Sequence, residues 1–174
     1  MSARFSLRRY RADDAAALRA VFESAVHEVA CAHYSPAQLA AWAPADHDPA
    51  LWAARMARLD PFVAEVDGVA VGYADLQASG LIDHCFVASA AGGRGVGRAL
   101  LERIEAEARE RGIAELHAEV SLTAEGFFAR MGFSVVKRQL VQVRGEVLAN
   151  AVMRKPLPNP IASPRAATRP HRPE

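Results

Sequence analysis

The sequence predicts an α+β domain, and three observations carry that prediction. Segments that alternate with period two and segments with helical spacing are interleaved along residues 5–155. Turn signals at Asp67-Gly68 and near Gly145 join neighbouring strand segments as hairpins. One apolar strand segment, Leu81 to Val87, runs through a glycine cluster into a long amphipathic helix.

Each element has a local reason. Phe5 to Tyr10 alternates, with Phe5 and Leu7 inward. Asp13 or Asp14 caps a helix on which Leu18, Val21, Phe22, Ala25 and Val29 share one face. Ser35-Pro36 is a cap followed by proline at the first helical place, opening a short helix to Trp42. Residues 43–49 are loop chemistry, and Leu51 to Leu59 reads as another short helix. Phe62 to Val66 and Val69 to Leu76 form the first hairpin, and Leu81 to Val87 is the fourth strand. Gly95 to Arg111 is a helix with Val96, Leu100, Ile104 and Ala108 inward, ended by Gly112. A strand at Glu115 to Val120 and a short helix at Ala124 to Met131 follow. Phe133 to Arg144 and Val147 to Met153 make the last hairpin. The domain is therefore expected over residues 1–155. Residues 156–174, rich in Pro and Arg and without periodicity, read as a disordered tail.

The chain has 174 residues, enough for one domain with a sizeable core. Its net charge of +1 gives no electrostatic argument for nucleic acid. No apolar run is long enough to span a bilayer, and the N-terminus lacks an extended apolar region. Cys31 and Cys85 do not make a disulfide framework, so the cytoplasm is the expected compartment, for a monomer or homodimer. The spacings of Cys31, His33, His84 and Cys85 match no standard closed zinc site, so no metal is expected.

The glycine cluster carries the chemistry. A bare loop at a helix start aims several backbone N–H groups and the positive end of the helix dipole at one point, which suits phosphate. Gly93, Gly95 and Gly97 are expected to keep that loop bare. The dinucleotide pattern G-x-G-x-x-G fails, because its last place falls on Arg98 or Leu100. The triphosphate loop nearly fits from Gly92 to Gly97, but Arg98 and Ala99 stand where Lys and a hydroxyl residue belong.

A third pattern fits best: Gln or Arg, two residues, Gly, one residue, then Gly or Ala. Gly95 and Gly97 match it, and Gly92 departs from it. This segment resembles motif A of the GCN5-related N-acetyltransferases (GNATs). Ala124, Phe127, Gly132 and Phe133 resemble their motif B. Within that family the chain is similar to the YafP-like bacterial N-acetyltransferases. The shared residues are His27, Ala30, Tyr34-Ser35-Pro36, Gln38-Leu39 and Trp42, then Gln142, Arg144-Gly145, Leu148, Asn150 and Met153. The resemblance covers roughly residues 4–155. It implies a mixed, mostly antiparallel sheet of about seven strands, splayed at strands 4 and 5 and flanked by about four helices.

The same resemblance implies transfer of an acetyl group from acetyl-CoA to an amine, with acetyl-CoA as co-substrate. The pantetheine arm would pair with backbone at Phe86 and Val87, the Val87 N–H receiving the carbonyl oxygen. The pyrophosphate would lie along Ala88, Gly92, Gly93, Arg94, Gly95, Val96, Gly97 and Arg98. Ser121 stands where an asparagine often contacts the cofactor, and it also reads as a helix cap. Phe128 stands against the cofactor where many members place a tyrosine acid. Thiolate protonation then falls to water, solvent or another residue.

Asp83 is the first candidate base, four residues before Val87 and of the same strand parity. Glu119 is the second, and Tyr34 is a candidate for orienting the amine or the thiolate. His84 points the other way by parity and reads as structural. An acyl-CoA-binding module without catalysis and a nucleotide-binding protein are the competing readings. The acceptor amine has no signature in the sequence.

Overall fold

The computed structural model describes residues 5–158. Strand β1 (Ser6–Arg9) leads into helix α1 (Ala15–Ser24), followed by α2 (Pro36–Trp42) and α3 (Pro49–Leu59). Strands β2 (Phe62–Val66) and β3 (Val69–Ala74) form the first hairpin. Two short strands come next, β4 (Leu81–Ile82) and β5 (Cys85–Val87), before helix α4 (Val96–Glu110). The chain continues through β6 (Glu115–Ser121), α5 (Glu125–Arg130), β7 (Ser134–Val143) and β8 (Glu146–Pro156).

The strands make two four-stranded sheets, in orders β1-β2-β3-β5 and β4-β6-β8-β7. All pairs are antiparallel except β4 with β6. With β4 and β5 taken as the two halves of one strand, this is the expected mixed sheet of seven strands, splayed where its fourth strand changes partner. Alternate residues of β2 and β3 feed two cores. Phe62, Ala64 and Ala74 face α4 with Leu100, Leu101 and Ile104, while Val63 and Tyr73 face α1 and α3 with Leu18, Phe22, Trp52 and Met56.

Local chemistry sets the helix starts. Ser35 and Gln38 form a reciprocal capping box ahead of Pro36. Asp48 caps α3 through the N–H groups of Ala50 and Leu51, so that helix starts at Pro49 rather than Leu51. Val29, expected inward, is 42% exposed. Residues Ala25–Val29 form a π-turn, in which the Ala30 N–H reaches back five residues to the Ala25 carbonyl. The wider turn rotates Val29 out and puts Val26 and Ala30 into the core instead.

The expected fourth strand is interrupted. Asp75, fully buried at the end of β3, accepts the N–H groups of Asp83 (3.0 Å) and His84 (2.6 Å) through one carboxylate oxygen. Those two donors are lost to any strand ladder, so Leu81–Ile82 and Cys85–Val87 join different sheets.

The domain also extends past Lys155. Pro156 pairs with Glu115, the Leu157 N–H donates to the Ala114 carbonyl at 2.8 Å, and the Leu157 side chain is buried. The expected tail thus loses its first two residues to the domain, and residues 159–174 lie outside the described part. A chain cut after Lys155 is expected to lose about 2–4 kcal/mol, the cost of deleting a buried leucine. A cut after Pro158 is the control. Equal urea midpoints for the two truncations would show that Leu157 carries no stability.

Candidate active site

The change of sheet partner creates a seam. β5 has a ladder only with β3, and β4 pairs with β6 at just two positions, Leu81 with His117 and Ile82 with Ala118. The Ala88 N–H donates to the Val71 carbonyl and the Asp75 N–H to the His84 carbonyl. Residues 84, 86 and 88 therefore turn their polar backbone groups toward β3. By the alternation of an antiparallel ladder, the N–H groups of Cys85 and Val87 turn the other way, into the gap facing β6.

The glycine loop follows directly. Ser89 opens a tight turn to Ala91, its N–H held by Ser24 Oγ at 3.0 Å. Gly93 and Gly95 adopt φ of 71° and 83°, the left-handed region, and a Cβ on either would meet nothing within 4 Å. The fifteen-residue helix α4 starts at Val96 with no side-chain cap and no acidic residue in its first turn. Its first N–H groups are left for an external acceptor. Arg94 and Arg98 are exposed beside them, whereas Val96 is buried and offers only its backbone.

Two expectations about side chains change here. A Cβ on Gly97 would come within 3.0 Å of the Phe127 ring, so Gly97 lets α5 approach α4 rather than baring the loop. Phe128 is buried against Phe133, with ring centroids 5.0 Å apart, and packs into the core instead of against a cofactor.

A cavity of about 870 Å³ lies beside the seam. It brings together Asp83 and Glu119, the two candidate bases, with Phe86, Ser121 and Tyr34. Asp83 pairs with Arg55 at 3.0 Å, while Glu119 accepts from the neutral Gln139 amide at 2.8 Å. Aromatic rings line one side in contact with one another. Trp52 stacks on Phe22, Phe22 meets Phe86 edge-on, and Trp42 bridges Phe86 and Tyr34.

Tyr34 is a clip rather than a proton donor. Its hydroxyl donates to the Ala149 carbonyl at 2.6 Å and accepts the Leu122 N–H at 2.9 Å, tying β8 to the end of β6. Burial pushes this hydroxyl above its ordinary range. Ser121 Oγ accepts the Ala124 N–H at 3.2 Å, so it fastens the turn into α5 while lining the cavity.

His84 was expected to turn away, but the strand break cancels that parity. The ring lines the cavity, 4% exposed, with Nδ1 2.9 Å from the Tyr73 hydroxyl. Burial, joined by the Arg55 charge and only partly opposed by Asp83, pushes His84 down to about 4. The native state therefore favours neutral His84. The stability tied to that preference is complete above the unfolded value of 6.5 and is lost as pH falls from 6.5 through about 4. Its size is on the order of 3 kcal/mol. Urea unfolding at several pH values should show a smaller acid loss in His84→Gln than in the wild type, and identical pH slopes would refute this.

Asp75, Tyr73 and Arg55 complete the surroundings and carried no signal in the sequence. Asp75 reads there as the polar end of an apolar strand, and Arg55 as one more charge on a short helix.

Comparison with known proteins fits this geometry. Residues 30–151 match the family model described as the acetyltransferase (GNAT) domain. The chain belongs to the GNAT acetyltransferase family. It is 37% identical over 149 residues to the uncharacterized N-acetyltransferase YafP of Escherichia coli K12, spanning 85% of this chain and 93% of that protein. A GCN5-related N-acetyltransferase from Rhodopseudomonas palustris has a similar crystal structure, with a TM-score of 0.86, 36% identity and coverage of 90% and 98%. YncA of Salmonella typhimurium, solved with acetyl-CoA, shares the fold at a TM-score of 0.65 and 24% identity, over 94% of this chain and 99% of that one. Among the described residues no helix is long and apolar enough to cross a membrane.

Proposed function

We propose that the protein transfers the acetyl group of acetyl-CoA to a primary amine by direct attack. The observation that carries this reading is the Val87 N–H, turned into the seam one residue before the segment that leads to the uncapped start of α4. One continuous stretch of chain thus offers a donor for a thioester oxygen and a cradle for a pyrophosphate. Arg94 and Arg98 add positive charge at the cradle.

The acceptor lies in the cavity with its nitrogen toward Asp83. Asp83 takes one ammonium proton, directly or through water, and the freed lone pair attacks the thioester carbon. The C–N bond forms while the carbonyl oxygen gains charge and draws on the Val87 N–H. Collapse breaks the C–S bond, and the CoA thiolate leaves. The attacking nitrogen gives up its second proton as the amide forms, and that proton passes through water to the thiolate, since Phe128 offers none. Glu119 lines the same cavity and is the alternative proton acceptor. The absent hydroxyl at Phe128 also favours a second reading, an acyl-CoA-binding module with little or no catalysis.

Release of free thiol from acetyl-CoA across an amine panel tests the proposal. Amine-dependent release is expected. Calorimetric binding of acetyl-CoA with no release for any amine would favour the binding module.

A further inference from the structure

The break between β4 and β5 does more than open the seam, because it delivers a buried phenol–imidazole pair to the cavity beside Asp83. Tyr73 is fully buried, and its hydroxyl contacts His84 Nδ1 at 2.9 Å. Among the described residues neither group has another side-chain hydrogen bond, so this contact must satisfy both. Burial holds the Tyr73 hydroxyl well above its ordinary range, and it keeps its proton. A buried O–H needs an acceptor, and the Nδ1 lone pair is the acceptor at hand. The single proton of the neutral ring then sits on Nε2.

Nε2 lies 3.9 Å from Asp83 Oδ2. That is too long for a direct hydrogen bond and short enough for one water to touch both groups. The ring cannot turn freely. Phe22, Trp52 and Phe86 surround it at centroid distances of 5.9, 6.0 and 5.3 Å, and Asp75 holds its backbone N–H. The charged groups facing it are Asp83 and, beyond it, Arg55.

We propose that Tyr73 fixes His84 as an Nε2–H donor which, with Asp83, holds the water through which the acceptor amine loses its proton. His84 and Tyr73 are thus positioning residues, and His84 is not the base. The inference rests on the reading of Asp83 as the base. The ammonium gives one proton to the water oxygen, and one of the water's own protons passes to Asp83 Oδ2. One N–H bond breaks, one O–H bond forms on Asp83, and the Nε2–H stays in place throughout.

Nitrogen-15 spectra of the histidine rings test the polarity without any reaction, with His84→Gln assigning the signal. Nε2 should carry the proton and Nδ1 should be bare from about pH 5 to about pH 8, where a free histidine would titrate. Tyr73→Phe should release this single pattern and slow turnover about 10-fold, below the 10²–10⁴ expected for a base. Its acetyl-CoA affinity should not change. His84→Gln returns an N–H near the Nε2 position and should keep turnover within about 3-fold of the wild type, whereas His84→Phe fills the space without a donor and should fall about as far as Asp83→Asn. A protonated Nδ1 in the wild type, or wild-type turnover in His84→Phe, overturns the proposal. Should no amine be acetylated at all, the acetyltransferase reading falls, while the spectra still decide the polarity.

Discussion

A Gly95→Asp variant is expected to stay folded and to lose acetyl-CoA binding by about 10²-fold or more, the scale of placing like charges together at a desolvated contact. The fold should survive for two reasons. Asp is among the residues that tolerate the left-handed conformation, at a cost of about 1–2 kcal/mol. It is also a favoured residue at a helix N-cap, and Gly95 is the N-cap of α4. Space is not at issue, since nothing lies within 4 Å of a Cβ there. The added carboxylate instead takes the anion position at the uncapped N–H groups and repels the pyrophosphate. Gly95→Asn carries the same backbone strain without the charge and should bind nearly normally. Unchanged calorimetric affinity in a folded Gly95→Asp protein would remove the cofactor assignment. Gly97→Asp is a poorer test, because its side chain would strike Phe127 and confound binding with packing.

The second large effect concerns proton removal. Asp83→Asn keeps the side-chain shape and should slow turnover by about 10²–10⁴-fold, the usual range for loss of a general base. Acetyl-CoA affinity should hold, because the backbone donors lie further along β5 and the loop. Arg55, left without its partner, is 44% exposed and remains solvated, so the fold should tolerate the change. Glu119→Gln is the matched control. Fast Asp83→Asn with slow Glu119→Gln would move the base to β6. Activity in both variants would leave the proton to water or to the acceptor itself.

Much of the fold could be read from the chain because neighbouring residues decide it. Ser35-Pro36 to Trp42 and Phe62 to Val66 came out with the observed limits. The seam was legible only through family resemblance, and its cause was hidden. Asp75 diverts donors eight and nine residues away, a contact that no periodicity reports. The same contact moved His84 from a structural reading to the cavity wall. Tyr34 reads from the sequence as a residue to orient the amine or the thiolate, but its hydroxyl is saturated by Leu122 and Ala149, partners more than eighty positions away. Phe128, placed against the cofactor by resemblance, packs on Phe133 instead, because a six-residue helix cannot be phased from sequence alone.

On the proposed function, the narrow join between the sheets gives the molecule a way to register its co-substrate. Two rungs of parallel ladder tie β4 to β6, and among the described residues the outer edge of β5 has no strand beside it. An extended arm lying in that space would act as a missing strand beside β5, over the core that both sheets share. Occupancy should therefore be written into the exchange rates of the Cys85 and Val87 amides, fast when the space is open and slow when it is filled. It should also impose a sequence on the encounter, with the acceptor finding a finished wall only after the thioester has arrived.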